Sequence, residues 1–240
     1  MPLTGAKPTW LTFDCYGTLI QWDEGLIAAV EKILAGRREP DVEAATLVKV
    51  YDKYEHEFER HKPHRSFRDV AGSALKMAME ELKLEYSPGD IVILTDSIAK
   101  MPPFPEVVDA LTALKAQGFK LCIISNTDDD IIAGNVAQLN GRIDRVITAQ
   151  QAQAYKPQRQ IFQYAHKAIG VGEDQIVHIC ASPHLDLAAA RDMGFRSIWI
   201  DRGTGRKALP DYTSNEVFPS LDRVPRHFVA IGWAHEEARS

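Results

Sequence analysis

The chain has 240 residues and a formal net charge of −5, with 45% hydrophobic and 25% charged residues. These values are typical of one large globular domain or a core with a smaller insert, and the acidic balance argues against nucleic acid as a partner, because phosphate binding usually requires a basic face. No apolar run approaches the roughly 20 residues of a membrane span, and residues 1–8 lack the apolar stretch of a signal peptide, so we expect a cytoplasmic protein without a membrane partner.

The first predicted element is a short buried strand, Trp10–Phe13, which a long helical region follows. Residues 21–101 carry apolar side chains at helical spacing and contain no convincing strand. Within this region, Ser87 is predicted to cap a helix that starts at Pro88 and has an acid, Asp90, at its third position. The region is therefore predicted to be a helical insertion after the first strand.

Beyond residue 102, strands and helices alternate in the manner of a parallel sheet. Pro105 is predicted to begin a helix that Gly118 ends, and Pro157 is predicted to begin another. Predicted strands occupy residues 119–124, 146–148, 176–179 and 197–200, with a further short strand at residues 216–218. We therefore predict an α/β fold. It consists of a Rossmann-like parallel-sheet core, residues 1–19 and 102–240, and an inserted helical cap, residues 20–101.

Polar residues follow the predicted strands at their carboxyl ends. Asp14 ends the first strand, Ser125 and Asn126 follow the second, and Lys156 and Asp186 lie after later strands. Because parallel strands place their carboxyl ends at one edge of the sheet, these side chains are expected to meet there. Asp14 would be a nucleophile whose charge Lys156 offsets, while Asp186 would either hold Lys156 or activate water.

In order and approximate spacing, residues 13–19, 125–126, 155–157 and 186 resemble the four motifs of the haloacid dehalogenase superfamily. The sequence Asp14-Cys15-Tyr16-Gly17-Thr18 is similar to that of the type II L-2-haloacid dehalogenase branch. The resemblance implies a hydrolase without metal or cofactor. It would attack a saturated carbon of a small carboxylic acid through an ester on Asp14, most simply at a carbon–halogen bond, and it would form a homodimer.

The resemblance, together with the positions of Trp22 and His184 near its motifs, indicates which side chains form the site. Catalysis is assigned to Asp14, Lys156, Asp186 and Thr18. Substrate binding is assigned to the following residues: Cys15, Tyr16, Trp22, Tyr51, Ser125, Asn126, Thr127 and His184. The hydroxyl groups of Thr18 and Ser125 and the amide of Asn126 would orient the carboxylate of Asp14 and a developing anion.

Departures from the sequence of this branch leave the identity of the leaving group undecided. Dehalogenases of this branch place an arginine on the first cap helices, and Tyr51 lies at or near that position here. Their asparagine and tryptophan of the fourth motif correspond to Pro183 and Leu185, while His184 adds a titratable group. The same mechanism could therefore open a strained carbon–nitrogen ring such as that of azetidine-2-carboxylate.

A Mg²⁺-dependent phosphatase is a second alternative, because many members of the superfamily transfer phosphoryl groups. Such enzymes carry a second aspartate two residues after the nucleophile, where this chain has Tyr16. They also carry acids in the fourth motif, where this chain has Ala181 and Ser182. Only Asp14 and Asp186 would then supply carboxylate oxygens to Mg²⁺, which disfavours this activity.

The remaining polar residues have simpler interpretations. The cysteines are expected to be buried thiols. The acids that follow the second motif, Asp128, Asp129 and Asp130, are expected to favour the N-terminus of the helix that they begin. The histidines on or near the second cap helix, His56, His61 and His64, lack paired metal-ligand spacing and are expected on a solvated face.

Overall fold

The computed structural model describes residues 2–35, 37 and 42–235. Its strands are β1 (Trp10–Phe13), β2 (Lys120–Ser125), β3 (Arg145–Thr148), β4 (Ile176–Cys180), β5 (Arg196–Ile200) and β6 (Glu216–Phe218). All pair in parallel in one sheet, in the order β3-β2-β1-β4-β5-β6. The chain therefore adds β2 and β3 on one side of β1, and then β4, β5 and β6 on the other side. Such a reversal opens a crevice at the carboxyl ends of the central strands.

Helices cover the sheet and connect its strands. The core helices are α5 (Val107–Ala116), α6 (Asp129–Ala137), α7 (Ala149–Ala152), α8 (Arg159–Ile169), α9 (Ala188–Met193) and α10 (Arg223–Ala230). Two of them begin two residues later than predicted, since α5 and α8 follow Pro105 and Pro157 without including them. No helix in the described part of the chain is both long and apolar enough to cross a bilayer.

The central strands owe their stability to burial on both faces. Leu11 of β1 pairs with Leu121 of β2 and Val177 of β4, and all three side chains are inaccessible to solvent. Continuous apolar strands of this kind are typical of parallel sheets covered by helices. The predicted α/β fold and its strands are confirmed, with ends that shift by about one residue.

Four helices lie between β1 and α5: α1 (Trp22–Ala35), α2 (Ala44–Phe58), α3 (Phe67–Glu81) and α4 (Pro88–Ile98). Ala71, Ala74 and Ala78 are buried on α3, where their small side chains allow a close approach to α2. The predicted helix N-cap at Ser87 is present. The Ser87 hydroxyl accepts from Gly89 N, and the carboxylate of Asp90 accepts from Ser87 N.

Asp128 has a different role from the one expected. It does not cap its own helix, α6. Its two carboxylate oxygens instead accept from the backbone N–H groups of Phe67 and Arg68, each at 2.9 Å. A carboxylate stabilises a helix N-terminus through these otherwise unpaired donors, so Asp128 ties α3 to the core.

We propose that α1–α4 form the predicted cap of residues 20–101. Support comes from a narrow neck, where Ile20 forms an antiparallel bridge with Pro103 and Gln21 N donates to Pro102 O at 2.9 Å. The chain thus leaves and re-enters the core at one point. Of the proposed ranges, residues 1, 36, 38–41 and 236–240 lie outside the described residues.

Candidate active site

The polar residues predicted at the strand ends meet in one place, beside the switch point of the sheet. Asp14 directly follows β1, Ser125 ends β2, and Lys156 follows α7. They border a cavity of about 400 Å³ between the sheet edge and the helices α1 and α2. A cavity of this size at a switch point is the expected position of a small-molecule site.

A buried ion cluster lies at the floor of the cavity. Lys156 Nζ donates to Asp14 Oδ1 at 2.7 Å and to Asp186 Oδ1 at 2.9 Å, and none of the three residues is more than 6% exposed. Burial alone would lower the pKa of Lys156, but the two carboxylates outweigh it and the pKa rises. Lys156 is therefore a permanent cation that offsets the charge of the two carboxylates.

Thr18 holds the second oxygen of Asp14. Its hydroxyl donates to Asp14 Oδ2 at 2.6 Å and accepts from Ala181 N at 2.8 Å. The chain bends back to reach this position through Gly17, whose φ of +81° lies in the left-handed region that favours glycine. Both carboxylate oxygens of Asp14 are thus fixed, which is the preorganisation that a nucleophile requires.

Asp186 is held by a residue that the sequence analysis missed. His178 Nε2 lies 2.9 Å from Asp186 Oδ1, and its Nδ1 lies 2.8 Å from the hydroxyl oxygen of Thr12. Burial raises the pKa of Asp186, but Lys156 and His178 outweigh it and the pKa is lowered. The other oxygen, Oδ2, is buried without a hydrogen-bond partner among the described residues. A histidine inside an otherwise apolar strand was the available signal.

Asn126 links the cluster to the cap. Its Oδ1 accepts from Lys156 N at 2.6 Å, while its Nδ2 donates to Lys156 O at 3.2 Å and to Glu59 Oε1 at 3.1 Å. The amide therefore fixes the backbone of Lys156 on both sides. Next to it, the Ser125 hydroxyl is buried at the cavity and has no partner in the described structure.

The predicted site residues divide into two groups. On the cavity surface lie Asp14, Tyr16, Trp22, Ser125, Asn126, Lys156 and His184. Behind it, buried and absent from its lining, lie Cys15, Thr18, Tyr51, Thr127 and Asp186. The side chain of Tyr51 thus does not replace the cap arginine in direct contact with a ligand, because its hydroxyl donates to Glu55 Oε1 at 2.6 Å.

Known proteins are similar to this chain in sequence. A family model of haloacid dehalogenase-like hydrolases matches residues 9–194. The chain belongs to this family. It is 28% identical over 235 residues to haloacetate dehalogenase H-2 of Moraxella sp. strain B, which covers 92% of this chain and 97% of that protein. It is 28% identical over 201 residues to an (S)-2-haloacid dehalogenase of Pseudomonas sp. strain YL, covering 80% and 82%.

Solved structures agree on the fold of this haloacid dehalogenase-like hydrolase. An L-2-haloacid dehalogenase from Xanthobacter autotrophicus with chloropropionic acid covalently bound matches with a TM-score of 0.80 and 18% identity, over 95% of this chain and 100% of that one. A hydrolase of the superfamily from Bacillus subtilis, bound to magnesium, matches with a TM-score of 0.79 and 14% identity, over 94% and 99%. The fold alone therefore does not decide whether a protein of this architecture binds a metal.

The cap side of the cavity in this hydrolase is acidic, which the sequence analysis did not anticipate. It is formed by Asp52, Glu55, His56 and Glu59 of α2 and its C-terminal cap residue. Glu55 and Glu59 are each only 6% exposed. Glu55 and Glu59 follow buried Tyr51 at intervals of four residues, so the sequence indicates that they share its buried helix face. His56 lies on the cavity rather than on a purely solvated face.

A second missed group is basic and comes from the loop after β5. Arg206 and Lys207 line the cavity. Arg206 is held by Asp23 of α1 at 2.9 Å, and its guanidinium covers Gly17, where an added Cβ would lie 3.1 Å from Nη2. No motif marks these residues in the sequence, since their proximity depends on how the loop folds over the turn after β1.

The pH dependence of stability tests the buried acid on the cap. Burial raises the pKa of Glu55 from 4.5 to about 7, whereas an unfolded chain keeps the ordinary value. The folded state therefore loses stability as the pH rises through this window, and no penalty exists below it. We expect Glu55→Gln to remove the penalty and to raise Tm at pH 8 by at least about 3 °C relative to wild type.

The difference between Glu55→Gln and wild type should shrink towards pH 4.5 or below. Glu57→Gln is the matched control, because Glu57 is exposed on the same helix. Thermal unfolding between pH 4 and pH 8 measures the effect. Parallel pH profiles for Glu55→Gln and wild type would show that ionisation of Glu55 is not penalised.

Proposed function

We propose that this hydrolase cleaves a bond at a saturated carbon of a small carboxylic acid through a covalent ester on Asp14, and that the bond is the carbon–halogen bond of a 2-haloacid. The observation that carries the proposal is the carboxylate of Asp14, held at one oxygen by Lys156 and at the other by Thr18. Relatives named for haloacetate and (S)-2-haloacid dehalogenation support the choice of substrate.

In the first step, a carboxylate oxygen of Asp14 forms a bond to the carbon of the substrate, and the halide leaves with the bonding electron pair. The ammonium of Lys156, 2.7 Å from Asp14 Oδ1, holds the carboxylate in position for this attack. The cavity offers donors for the substrate carboxylate on the core side: the free hydroxyl of Ser125 and the cations of Arg206 and Lys207. These groups would orient the substrate without neutralising the nucleophile.

In the second step, water attacks the carbonyl carbon of the Asp14 ester. Asp186 lies behind the cavity surface and shares Lys156 with Asp14. Its Oδ2, which has no partner among the described residues, would accept the proton of that water and return it to the departing hydroxyl oxygen. The donors Lys156 and Thr18 stabilise the negative charge that develops on the oxygen atoms of Asp14. The hydroxy acid leaves with one oxygen from Asp14, and the water oxygen stays on the enzyme.

The acidic cap surface favours a second candidate, the opening of a strained carbon–nitrogen ring such as azetidine-2-carboxylate. The described residues of α2 that line the cavity include no lysine or arginine that could receive a halide. Lys53 is engaged with Glu81 at 2.9 Å instead. Carboxyl groups are suited to an amine leaving group, because they can pass it a proton.

A Mg²⁺-dependent phosphatase has weaker support. Magnesium requires several hard oxygen ligands. At the ion cluster, Asp14 and Asp186 both bind the ammonium of Lys156, and the neighbouring Ala181 and Ser182 supply no carboxylate. Tyr16 lies on the cavity where a phosphatase of this superfamily would carry its acid.

The nucleophile is tested by isotope transfer. Asp14→Asn should abolish turnover, because an amide neither carries the charge nor forms the ester. Single-turnover reaction of wild type in ¹⁸O water should place the label in the carboxylate of Asp14, measured by peptide mass spectrometry. Turnover of a 2-haloacid with an unlabelled Asp14 contradicts the covalent mechanism.

Thr18 allows a closely matched pair of variants. Thr18→Val keeps the shape but removes the donor to Asp14, and it should lower kcat about 10²-fold. Thr18→Ser keeps the hydroxyl and should stay close to wild type. Circular dichroism controls for folding, since Thr18 also accepts from Ala181 N. Equal rates for the two variants would show that the hydroxyl does not act on Asp14.

A substrate panel separates the candidates. Wild type is offered 2-chloro acids, fluoroacetate, azetidine-2-carboxylate and phosphate esters, and halide, fluoride, primary amine and phosphate are measured separately. Halide release supports the first candidate, and amine release without halide supports the second. Phosphate release that EDTA abolishes would replace both with metal-dependent phosphoryl transfer.

We also propose, from the family resemblance, that the chain forms a homodimer and acts in the cytoplasm. Sedimentation of the purified protein tests the assembly. A single species near the chain mass of 26.8 kDa would contradict the dimer.

A further inference from the structure

Glu55 and Glu59 have no role in the displacement of a halide as described so far, although they border the reaction cavity. Both are 6% exposed and lie on one side of α2, four residues apart. Burial of two carboxyl groups is unfavourable unless they are neutralised or paired. Neither forms an ion pair with a lysine or arginine in the described ranges, so another explanation for their position is required.

Each glutamate is held by one neutral donor. Tyr51 OH donates to Glu55 Oε1 at 2.6 Å, and Asn126 Nδ2 donates to Glu59 Oε1 at 3.1 Å. The ammonium of Lys156, whose charge acts on Glu59, is already bound by two aspartates. The charged or titratable groups around the pair are Tyr51, Asp52, His56, Tyr155 and Lys156. One oxygen of each carboxyl is thus fixed, and the other is available for a proton.

A polar group on the opposite side of the same cavity also lacks a hydrogen-bond partner among the described residues. Ser125 is 1% exposed, and its hydroxyl has no partner among the described residues. Buried hydroxyl groups are rarely left without a partner in a folded protein. The cavity therefore has an unsatisfied polar group beside Asp14 and a pair of carboxyl groups on the cap.

The direction of attack places the leaving group near this pair. Displacement at a saturated carbon requires the nucleophile and the leaving group to lie on opposite sides of that carbon. Asp14 approaches from the core, so the departing atom faces the cap, where α2 lines the cavity. A departing anion needs a hydrogen-bond donor there, and a protonated carboxyl group is one.

We propose that Glu55 and Glu59 act as a protonated carboxyl pair that donates a hydrogen bond to the leaving group during attack by Asp14; this rests on the proposed function. As the new carbon–oxygen bond forms, the bond to the leaving group breaks and its electron pair moves to the departing atom. For a halide the proton stays on the glutamate. For a ring nitrogen it is transferred, and the glutamate is left ionised.

The electrostatics of the pair agree with this geometry. Burial raises the pKa of Glu59 well above its ordinary value, and the charge of Glu55 raises it further. Burial also raises the pKa of Glu55, to about 7. At neutral pH the pair therefore retains at least one proton. An arginine could donate to an anion but could not lose its proton to an amine.

Rapid-mixing measurement of the first step tests the proposal. Formation of the Asp14 ester is followed by mass spectrometry with 2-bromo and 2-chloro acids and with azetidine-2-carboxylate. The double variant Glu55→Ala/Glu59→Ala should slow ester formation from the chloro acid about 10²-fold, and less for the bromo acid, whose leaving group is better. Hydrolysis of the ester should keep its wild-type rate.

The isosteric variant Glu55→Gln/Glu59→Gln guards against loss of folding. Its amide N–H groups still donate, so it should restore most of the rate with a halide but none with a nitrogen leaving group. Wild-type ester formation should slow as the pH rises above about 7. The exposed control Glu57→Gln should match wild type throughout.

Three results separate failure of this inference from failure of the proposed function. Wild-type rates of ester formation in both double variants overturn the inference alone, as does equal slowing of both steps with no dependence on the leaving group. Absence of any Asp14 ester in wild type, with every substrate that is turned over, overturns the proposed function and the inference together.

Discussion

The ammonium of Lys156 between the carboxylates of Asp14 and Asp186 is the interaction on which the site depends. The three groups are removed from water here. Their mutual contacts, 2.7 and 2.9 Å long, compensate for the lost hydration together with the contacts from Thr18 and His178. Removal of one partner would leave an uncompensated buried charge, which typically costs about 3–5 kcal/mol. The cluster is therefore a constraint on the fold as well as a means of catalysis.

That constraint explains the arrangement around it. Asp14 and Asp186 come from positions after β1 and β4, which are neighbours only because the strand order reverses at β1. Lys156 arrives from the loop after α7, and Asn126 binds its backbone on both the N–H and the carbonyl side. Thr18 then holds Asp14 Oδ2, while His178 contacts Asp186 Oδ1, the same oxygen that Lys156 binds. The side chains of the ion cluster keep their positions only if the side chains that contact them are equally well ordered.

The sequence predicts much of this, because the information is local. Short apolar runs of three to six residues specify the strands, and a polar residue that follows such a run must reach the same sheet edge. Asp14, Ser125 and Lys156 are found in this way. What the pattern cannot show is how separate segments face one another. Arg206 reaches the turn after β1 only through the path of a loop, and Asp128 caps a helix that lies 60 residues away in the chain.

The cap glutamates are partly predictable from the sequence. Leu47, Tyr51, Glu55 and Glu59 recur every four residues, so the apolar pair at the start already indicates that the acids at the end share a buried face. The pattern thus predicts burial of two carboxyl groups. It does not predict that the face borders the nucleophile, because that depends on how α2 is set against the sheet by Asn126 and the neck of the cap.

The chemical character of the cavity follows from this placement. Its core side carries cations, Lys156 and Arg206, which attract a carboxylate, whereas its cap side carries Glu55 and Glu59. A permanent cation on the cap would stabilise a departing anion at any ordinary pH, because arginine does not titrate in that range. A carboxyl pair behaves differently, since it is a donor only while protonated and becomes a repulsive anion once ionised. A carboxyl pair in place of a permanent cation therefore makes departure of the leaving group depend on pH. It also extends the chemistry to leaving groups that must receive a proton. The scissile bond is thus selected on the cap, while the nucleophile and its ion cluster in the core stay the same.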